Sequence, residues 1–509
     1  MTVLLDPEAR LWLRPAAMKL VDLPSKPITC HNLVGNEWIE SSAETRQVLS
    51  PYSGQAIGTV PMGGATEVDQ VVRAATAAAS DWRQVPLKER TQLLFKYRDL
   101  LHANIERLSH CAAGEAGKTV AEARAGVLKG IEVLEYALSV QNLDEGAALE
   151  VSRGVTCEIR REPMGVVAGI TPFNFPAMVP LWLFPIATAL GNTFILKPSE
   201  KVPLSSLILG ELWQDAGFPP GVLNIVHGGQ AAVEAICDHP GISALGFVGS
   251  TKVAKIVYGR ASLQGKRALC LGGAKNHLIV VPDADPAVTI DGVVSSFVGC
   301  AGQRCMAASL MVAVGDIDDL VDAIVERASN VRLGTDMGAL IDEAATQRLT
   351  EAVAIAEKEG ATIRLDGRNP EQPEGYAGGN WMAPTIIDNV KVDHDSATRE
   401  LFGPILSIVR VSSLEEAMSM EQDSNYGNAA SVFTTNGAVA RYVAANATAG
   451  MVGVNIGVPV PREPFSFGGT KESRFGHGDI TGRAALDLWS QTKKITTKWQ
   501  LQSDANWMS

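Results

Sequence analysis

Cysteine is scarce in this chain: seven occur among 509 residues. A secreted domain built on disulfides is shorter and much richer in cysteine, so we expect free thiols, a reducing compartment and a cytoplasmic location. The two cysteines closest in sequence, Cys300 and Cys305, lack the spacing that structural zinc sites favour, and no second pair follows them. The sequence therefore predicts neither a disulfide framework nor a metal site.

The chain also lacks a block of basic residues and a long apolar run. Its formal net charge is -12, which argues against nucleic acid and anionic membranes as partners. The longest apolar stretch, PAMVPLWLFPIATAL, is interrupted by Pro180 and Pro185 and is too short to span a bilayer. The first residues contain an acid and prolines where a secretory signal needs a basic start. We interpret residues 1–26 as an N-terminal extension of unknown use.

What the chain does contain is a regular alternation of strand-like and helix-like segments, in a sequence too long for one ordinary core. Four strand-like segments follow Gly165 and are separated by helical ones: GVVAGIT, TFILKPS, VLNIVHG and ALGFVGS. A second alternating set extends from NHLIVV to SVFTT. Such alternation predicts α/β domains with parallel sheets covered on both faces. The alanine-rich segment ATEVDQVVRAATAAASDWRQ predicts a helix on the outside of the first domain.

The stretch GCAGQRCMAAS, residues 299–309, contains two of the cysteines. Cys300 is typical of a small, buried packing residue. Cys305 follows a Gly-Gln-Arg turn, and the segment MAASLMVAV after it predicts a helix. A cysteine beside a helix N-terminus and an arginine has a lowered pKa and reacts as the thiolate. These residues alone leave a nucleophile and a buried thiol equally open for Cys305.

Three turns at predicted strand ends carry polar side chains, at the edge where parallel sheets bind ligands. Gly249 and Ser250 in GFVGST open a helix whose N–H groups suit a phosphate, although a plain tight turn fits equally. Lys197 and Glu200 in KPSE suit a ribose, or a solvated loop that caps a helix. Asn174 in PFNFP suits an oxyanion donor, or an asparagine that bonds its own turn.

Taken in order and at their spacing, these motifs resemble the aldehyde dehydrogenase superfamily over about residues 33–499. The motifs that carry the resemblance are PFNFP, KPSE, FVGST, GQRC and ELFGP. The segments PFNFPAMVPLW, ICDHP, GAKNH, GQRCMA and QTKKITTKW are similar to its CoA-acylating methylmalonate-semialdehyde dehydrogenase branch. The C-terminal FGGTKESRFG looks more like general members of the superfamily.

The resemblance implies a mechanism and a set of site residues. Cys305 matches the nucleophile, which forms a thiohemiacetal and then a thioester, and Cys300 becomes a packing residue. The Asn174 amide and the Cys305 backbone N–H match the oxyanion donors. NAD is the implied hydride acceptor. The positions that match dinucleotide contacts are Phe173, Lys197, Glu200, Lys201, Gly249, Ser250, Gly272, Glu400 and Phe402.

One departure from the superfamily concerns water. Hydrolytic members carry a glutamate that activates water, and the family's spacing places Leu271 at that position, next to Cys270. Neither side chain accepts a proton from water at neutral pH as a carboxylate does. We therefore expect slow hydrolysis of the thioester and release of the acyl group to a thiol, with CoA as co-substrate.

A second departure concerns the substrate. The branch binds a substrate carboxylate with two arginines; Arg304 matches one, and Lys129 stands where the other is usual. Lysine keeps the charge but loses the bidentate fork. The resemblance thus implies a short anionic semialdehyde, of the malonate or methylmalonate semialdehyde type, bound by Arg304 and Lys129 and released as an acyl-CoA with loss of CO2. The plain interpretation of Lys129 is a surface helix residue.

These observations predict an aldehyde dehydrogenase-like α/β fold with two Rossmann-like parallel-sheet domains and a small β oligomerisation flap. The predicted units are a dinucleotide-binding domain (27–141 and 162–273), a catalytic domain (274–466) and an oligomerisation region (142–161 and 480–502). The alternating stretch EVSRGVTCEIRREP is typical of an exposed strand that needs a partner, so we expect a homodimer or homotetramer.

The predicted partners are a small aldehyde and CoA, not nucleic acid or a membrane. Two other functions stay open. One is a hydrolytic NAD-dependent aldehyde dehydrogenase that uses another base and yields a free acid. The other is a non-catalytic relative that binds a dinucleotide, which the presence of both Cys305 and Asn174 argues against.

Overall fold

The computed structural model describes residues 20–143 and 146–499. The strands in chain order are β1 (Ile28–Thr29), β2 (Asn32–Val34), β3 (Glu37–Ile39), β4 (Thr45–Leu49), β5 (Ala56–Pro61), β6 (Ala147–Ser152), β7 (Val155–Pro163), β8 (Val166–Ile170), β9 (Thr193–Lys197), β10 (Leu223–Ile225), β11 (Ala244–Val248), β12 (Arg267–Leu271), β13 (His277–Val280), β14 (Leu310–Val314), β15 (Thr362–Leu365), β16 (Thr385–Asp388), β17 (Ile405–Val411), β18 (Tyr426–Gly427), β19 (Ala429–Phe433), β20 (Met451–Val454), β21 (Thr470–Lys471), β22 (Arg474–Phe475) and β23 (Ser490–Lys498).

The helices in chain order are α1 (Ala65–Gln84), α2 (Leu87–Ala103), α3 (Ile105–Ala116), α4 (Val120–Leu138), α5 (Val140–Leu143), α6 (Met178–Ala189), α7 (Leu204–Asp215), α8 (Gln230–Asp238), α9 (Thr251–Leu263), α10 (Pro286–Val298), α11 (Asp318–Ser329), α12 (Glu343–Lys358), α13 (Asp395–Thr398), α14 (Leu414–Asp423), α15 (Gly437–Asn446) and α16 (Ala485–Trp489).

The first sheet has eight strands in the order β22-β12-β11-β8-β9-β10-β2-β3. Its central strands, from β12 to β10, run parallel, and the strands outside them run antiparallel. Strands β8 and β9 are buried along their whole length, because helices cover both faces. The predicted helix of the first domain is confirmed as α1, whose valines pack on this sheet.

The second sheet has seven strands in the order β15-β16-β17-β14-β13-β19-β20. All its pairs are parallel except β15 with β16. A separate antiparallel sheet joins β6, β7 and β23, and β6 is exposed along its whole length. Two sheets with parallel central strands, together with this small antiparallel sheet, confirm the predicted fold class.

The helix predicted after Cys305 is wrong, because Leu310–Val314 forms the buried strand β14 between β13 and β17. The domain boundaries stay a prediction, and the short strand β22 shows that residues beyond 466 return to the first sheet. Residues 1–19 of the predicted N-terminal extension, and residues 144–145 and 500–502 of the predicted oligomerisation region, lie outside the described residues.

Strand ends from the two large sheets meet at the site. The carboxyl ends of β8, β9, β11 and β12 lead into the turns that carry the predicted dinucleotide contacts. In the second sheet, Cys305 precedes β14 and Glu400 precedes β17. These two residues therefore lie at the amino-terminal ends of their strands, unlike the contacts from the first sheet. Residues far apart in sequence are thereby brought to one place.

Candidate active site

A central cleft of about 940 Å³ lies where the strand ends of the two large sheets meet. Eleven of the predicted site residues line it. They are Phe173, Asn174, Lys197, Glu200, Lys201, Gly249, Ser250, Gly272, Cys305, Glu400 and Phe402. The two predicted substrate-binding residues, Arg304 and Lys129, are not among the residues that line it.

Two asparagine side chains fix the backbone of Cys305. The Asn276 amide donates to the Cys305 carbonyl at 2.8 Å and to that of Ala307 at 2.9 Å, and the Asn428 amide donates to the Cys305 carbonyl at 2.9 Å. Each asparagine directly precedes a strand, β13 or β19, so the second sheet anchors the nucleophile. Sequence reasoning missed both residues; their position just before a strand was the available signal.

Cys305 is partly buried and lines the cleft. Burial, followed by the negative charge of Glu400, raises its pKa to about 12, while Arg304 and Lys118 act in the opposite direction. The lowered pKa that the sequence predicted is therefore wrong for this structure, because no helix begins at Cys305 and the effect of burial on the thiol outweighs that of Arg304.

The turn before the nucleophile has an unusual backbone. Cys300 and Ala301 have φ values of 56° and 51°, and Gly302 follows at 68°. A left-handed conformation costs a residue other than glycine about 1–3 kcal/mol and persists only where surrounding contacts enforce it. At Gly302 a Cβ would lie 2.0 Å from the Gly403 carbonyl oxygen, so only glycine fits there. The loop that carries Cys305 is therefore held in place by its surroundings.

Asn174 lies beside this loop. Its side-chain amide is buried and donates to the Gln303 carbonyl at 2.9 Å. The Gln303 side chain is held in turn by the Ala339 carbonyl and the Ile341 N–H. The turn PFNFP thus brings an amide donor next to the backbone that leads into Cys305.

Glu400 is a partly buried carboxyl group whose charge acts on the Cys305 thiol. It accepts the N–H of Ala274 at 3.0 Å. Burial raises its pKa to about 7, against the effect of that N–H, Lys275 and Arg348. Burial also lowers the pKa of Lys275 to about 7, and its amine has no hydrogen-bond partner within the described ranges. Phe402, at φ 58°, packs edge-on against Phe173.

The other half of the cleft has the features that a dinucleotide needs. No side chain caps the first turn of α9, whose N-cap is Ser250, so its N–H groups can meet a phosphate. A Cβ on Gly249 would lie 2.5 Å from the Phe247 ring, so a side chain there would displace its neighbour. The Lys197 amine lies 3.3 Å from the Glu200 carboxylate; burial lowers the pKa of Lys197, and Glu200 opposes that shift. These residues fit NAD.

The end of the cleft nearest Cys305 is apolar. Phe175, Met178 and Trp182 line it, and the Trp182 ring lies 4.9 Å from that of Phe467. Sequence reasoning took this segment only as an apolar helix. The run PLWLF gave no sign that one face of α6 would line a site.

The structure holds Lys129 and Arg304 in other contacts. The Lys129 amine lies 2.8 Å from the Glu463 carboxylate and 3.4 Å from that of Glu132, so its charge is already neutralised. This arrangement disfavours the substrate role that the sequence predicted for Lys129. The Arg304 guanidinium donates to the Ser295 and Ser296 carbonyls, and its Nε is buried without a hydrogen-bond partner in the described structure.

Among residues 20–143 and 146–499, no group of three histidine, cysteine or acidic side chains is placed to hold a metal ion. No helix in the same ranges is long and apolar enough to cross a membrane. All seven cysteines are free thiols.

Comparison with known proteins places these residues in a family. Residues 38–495 match the family described as "Aldehyde dehydrogenase family". The chain is 42% identical over 482 residues to "Malonate-semialdehyde dehydrogenase 2" of Geobacillus kaustophilus (strain HTA426), covering 92% of this chain and 99% of that protein. It is 40% identical over 475 residues to the mitochondrial "Methylmalonate-semialdehyde/malonate-semialdehyde dehydrogenase [acylating]" of Rattus norvegicus, covering 92% and 89%.

A solved structure agrees with these relatives. A protein of Sinorhizobium meliloti 1021, named for methylmalonate-semialdehyde dehydrogenase and complexed with NAD, superposes with a TM-score of 0.92. It is 37% identical, and the match covers 94% of this chain and all of that one.

Proposed function

This chain belongs to the aldehyde dehydrogenase family, and on that premise we propose that it oxidises a short, anionic semialdehyde with NAD and transfers the acyl group to CoA. The observation that carries the proposal is the shared cleft: Cys305, Asn174 and every predicted dinucleotide contact line it. The proposed substrates are malonate and methylmalonate semialdehyde, since the relatives at 40–42% identity are named for them.

The proposed reaction begins at Cys305. Its sulfur, as the thiolate, attacks the aldehyde carbon, and the negative charge passes to the carbonyl oxygen, to which the Asn174 amide and the Cys305 backbone N–H donate. Bound NAD supplies the hydride acceptor. Lys197, Glu200 and the first turn of α9 would hold the dinucleotide, and Glu400 would hold its end nearest Cys305. The apolar end of the cleft keeps water from the thioester that remains on Cys305.

Release of the acyl group is proposed to need a thiol. Leu271 is buried at the end of β12 and offers no carboxylate, so it cannot activate water. A thiol such as CoA attacks the thioester without that help. For a 3-oxo acid, loss of CO2 accompanies turnover and the product is acetyl-CoA or, from methylmalonate semialdehyde, propionyl-CoA.

Arg304 is the proposed source of the preference for an anion. Its guanidinium lies close enough to lower the pKa of the Cys305 thiol, and its Nε has no partner in the described structure. The test compares NADH formation from malonate semialdehyde, methylmalonate semialdehyde and propanal, for wild type and Arg304→Met. Wild type should favour the anions, and the variant should lose that preference. An equal preference in the two proteins would rule out an anion role for Arg304.

A second candidate function is hydrolysis with Glu400 as the base. The observation in its favour is that burial raises the pKa of Glu400 to about 7, which suits a general base at neutral pH. Free acid formed at the same rate with and without CoA, and lost in Glu400→Gln, would favour it.

The assembly and the domain roles are part of the proposal. β6 is an exposed edge of the small sheet, and β20 is an edge of the second sheet. We propose that one chain's flap pairs with a second copy, giving a homodimer or homotetramer. The predicted dinucleotide-binding, catalytic and oligomerisation regions are assigned to the first, second and small sheets. The cytoplasmic location stays a prediction from the cysteine content.

A further inference from the structure

Lys118 is a buried lysine that none of the predicted roles uses. It follows Gly117 at the end of α3 and precedes the N-cap of α4, and its residue is 4% exposed. Its amine donates to the Cys300 thiol at 3.0 Å and lies 3.5 Å from the centre of the Phe175 ring. In the described ranges it forms no ion pair with a carboxylate, so its charge is not neutralised by a direct partner.

Its first contact, Cys300, begins the left-handed turn that leads to the nucleophile. The N–H of Cys300 donates to the Glu122 carboxylate at 2.6 Å, and the same carboxylate caps α4 through Thr119. The start of α4 therefore holds Cys300 from two sides, by Lys118 at the thiol and Glu122 at the backbone. These contacts help to enforce a conformation that costs about 1–3 kcal/mol for each residue other than glycine.

Its second contact, Phe175, belongs to the turn that carries the oxyanion donor. Phe175 follows Asn174 directly, and the Asn174 amide bonds the Gln303 carbonyl on the nucleophile loop. An ammonium above an aromatic face is attracted by the ring, more strongly when both are removed from water. Lys118 thus contacts both the loop that ends in Cys305 and the turn that presents Asn174.

We propose that Lys118 is a positioning residue: it fixes the Cys305 loop against the Asn174 turn and holds a positive charge against that loop. The proposal rests on the proposed function only in taking Cys305 as the nucleophile. Charged groups that act on this thiol are Glu400, Arg304 and Lys118, and Glu400 acts against the other two.

The first test measures the thiol itself, without cofactor or aldehyde. Lys118→Met should slow alkylation of Cys305 by iodoacetamide by about tenfold, because the loop loses an anchor and a positive charge. The control is Lys266→Met, which removes another buried lysine, one that donates to the His239 and Ile242 carbonyls. Both variants should lose thermal stability, but Lys266→Met should alkylate at the wild-type rate. Peptide mapping confirms that the modified residue is Cys305.

The second test measures hydride transfer in a single turnover. Misplacement of the two groups can cost up to about 10²-fold, so the NADH burst should slow by about 10- to 100-fold, with KM for NAD little changed. Asn174→Ala alone should cost about 10²–10³ in rate. In the double variant the losses should not add, because both changes disrupt one arrangement.

The proposal is overturned if Cys305 in Lys118→Met is alkylated at the wild-type rate. It is also overturned if the rate losses of Lys118→Met and Asn174→Ala multiply in the double variant. Lys118→Arg decides the matter if the methionine variant does not fold. With the charge kept over the Phe175 ring, its Cys305 should be alkylated within about twofold of the wild-type rate, and a tenfold slower rate would likewise overturn the proposal. Loss of the burst in Cys305→Ala tests the nucleophile separately, so failure of the proposed function is distinguishable.

Discussion

At the scale of single residues, Cys305 and Cys300 differ in what their thiols meet. Cys305 lines the central cleft, whereas Cys300 is buried and accepts a hydrogen bond from Lys118. We predict that Cys305→Ala abolishes NADH formation, because no other nucleophile lines the apolar end of the cleft in the described structure. Cys300→Ala should lower the rate by less than about tenfold, since the thiol supplies one neutral acceptor. Equal losses would contradict the assignment of the nucleophile.

The raised pKa of Glu400 predicts how the alkylation rate of Cys305 depends on pH. Burial raises its pKa to about 7, so it is neutral below that pH and negative above it. As a negative charge it raises the pKa of the Cys305 thiol. Glu400→Gln should therefore speed alkylation of Cys305 at about pH 9 and leave it unchanged at about pH 6. The measurement is the iodoacetamide rate of the cofactor-free protein as a function of pH.

We predict that a third residue, Lys129, has no effect on which substrate the protein prefers. Because Glu463 and Glu132 already pair with it, Lys129→Met should leave the ratio of kcat/KM for malonate semialdehyde to that for propanal within about twofold. A tenfold fall in that ratio would return Lys129 to the substrate site.

Residue roles could be predicted only where a motif carried them. The cofactor contacts, Cys305 and Asn174 lie in recognisable turns, and all of them line the cleft. Asn276, Asn428 and Lys118 act through contacts across about 30 to 180 residues of chain, which no local pattern displays. The raised pKa of Cys305 was missed for the same reason, since burial depends on the packed fold.

At the scale of elements, the alternating segments of the first domain were predicted as strands and helices, and the structure confirms them. The apolar runs of β8 and β9 and the spacing in α1 and α7 agree with local propensity. The prediction of a helix after Cys305 is wrong because LMVAV lies between two parallel strands. Pairing on both sides outweighs a short helical pattern.

The flap, which is the small sheet of β6, β7 and β23, gives rise to a prediction at this scale. Leu149 and Val151 on β6 are 68% and 51% exposed, an apolar pair on an unpaired edge. Replacing both by lysine should reduce the mass measured by light scattering, because charged side chains block edge pairing. The control is Leu263→Lys at the end of α9, an apolar residue 87% exposed and away from the flap. A wild-type protein that is monomeric at working concentration would contradict the proposed assembly.

At the scale of the whole molecule, the site exists because two sheets meet. The first sheet contributes the turns after its strands, and the second contributes the segments before its strands. Most of the cofactor contacts therefore come from the first sheet, while the nucleophile comes from the second sheet together with Glu400 and Phe402. The sequence predicted two parallel sheets, but which edges would face each other depended on tertiary packing and could come only from the resemblance.

The central claim is that the Cys305 thioester is released to CoA rather than to water. The direct measurement is stopped-flow NADH formation from malonate semialdehyde, first without CoA and then with it. Without CoA we predict a burst of about one NADH per chain and then almost no turnover, because Leu271 stands where a base would activate water. Added CoA should start steady turnover with acetyl-CoA as product. Steady NADH formation at the same rate without CoA, with a free acid as product, would contradict the account.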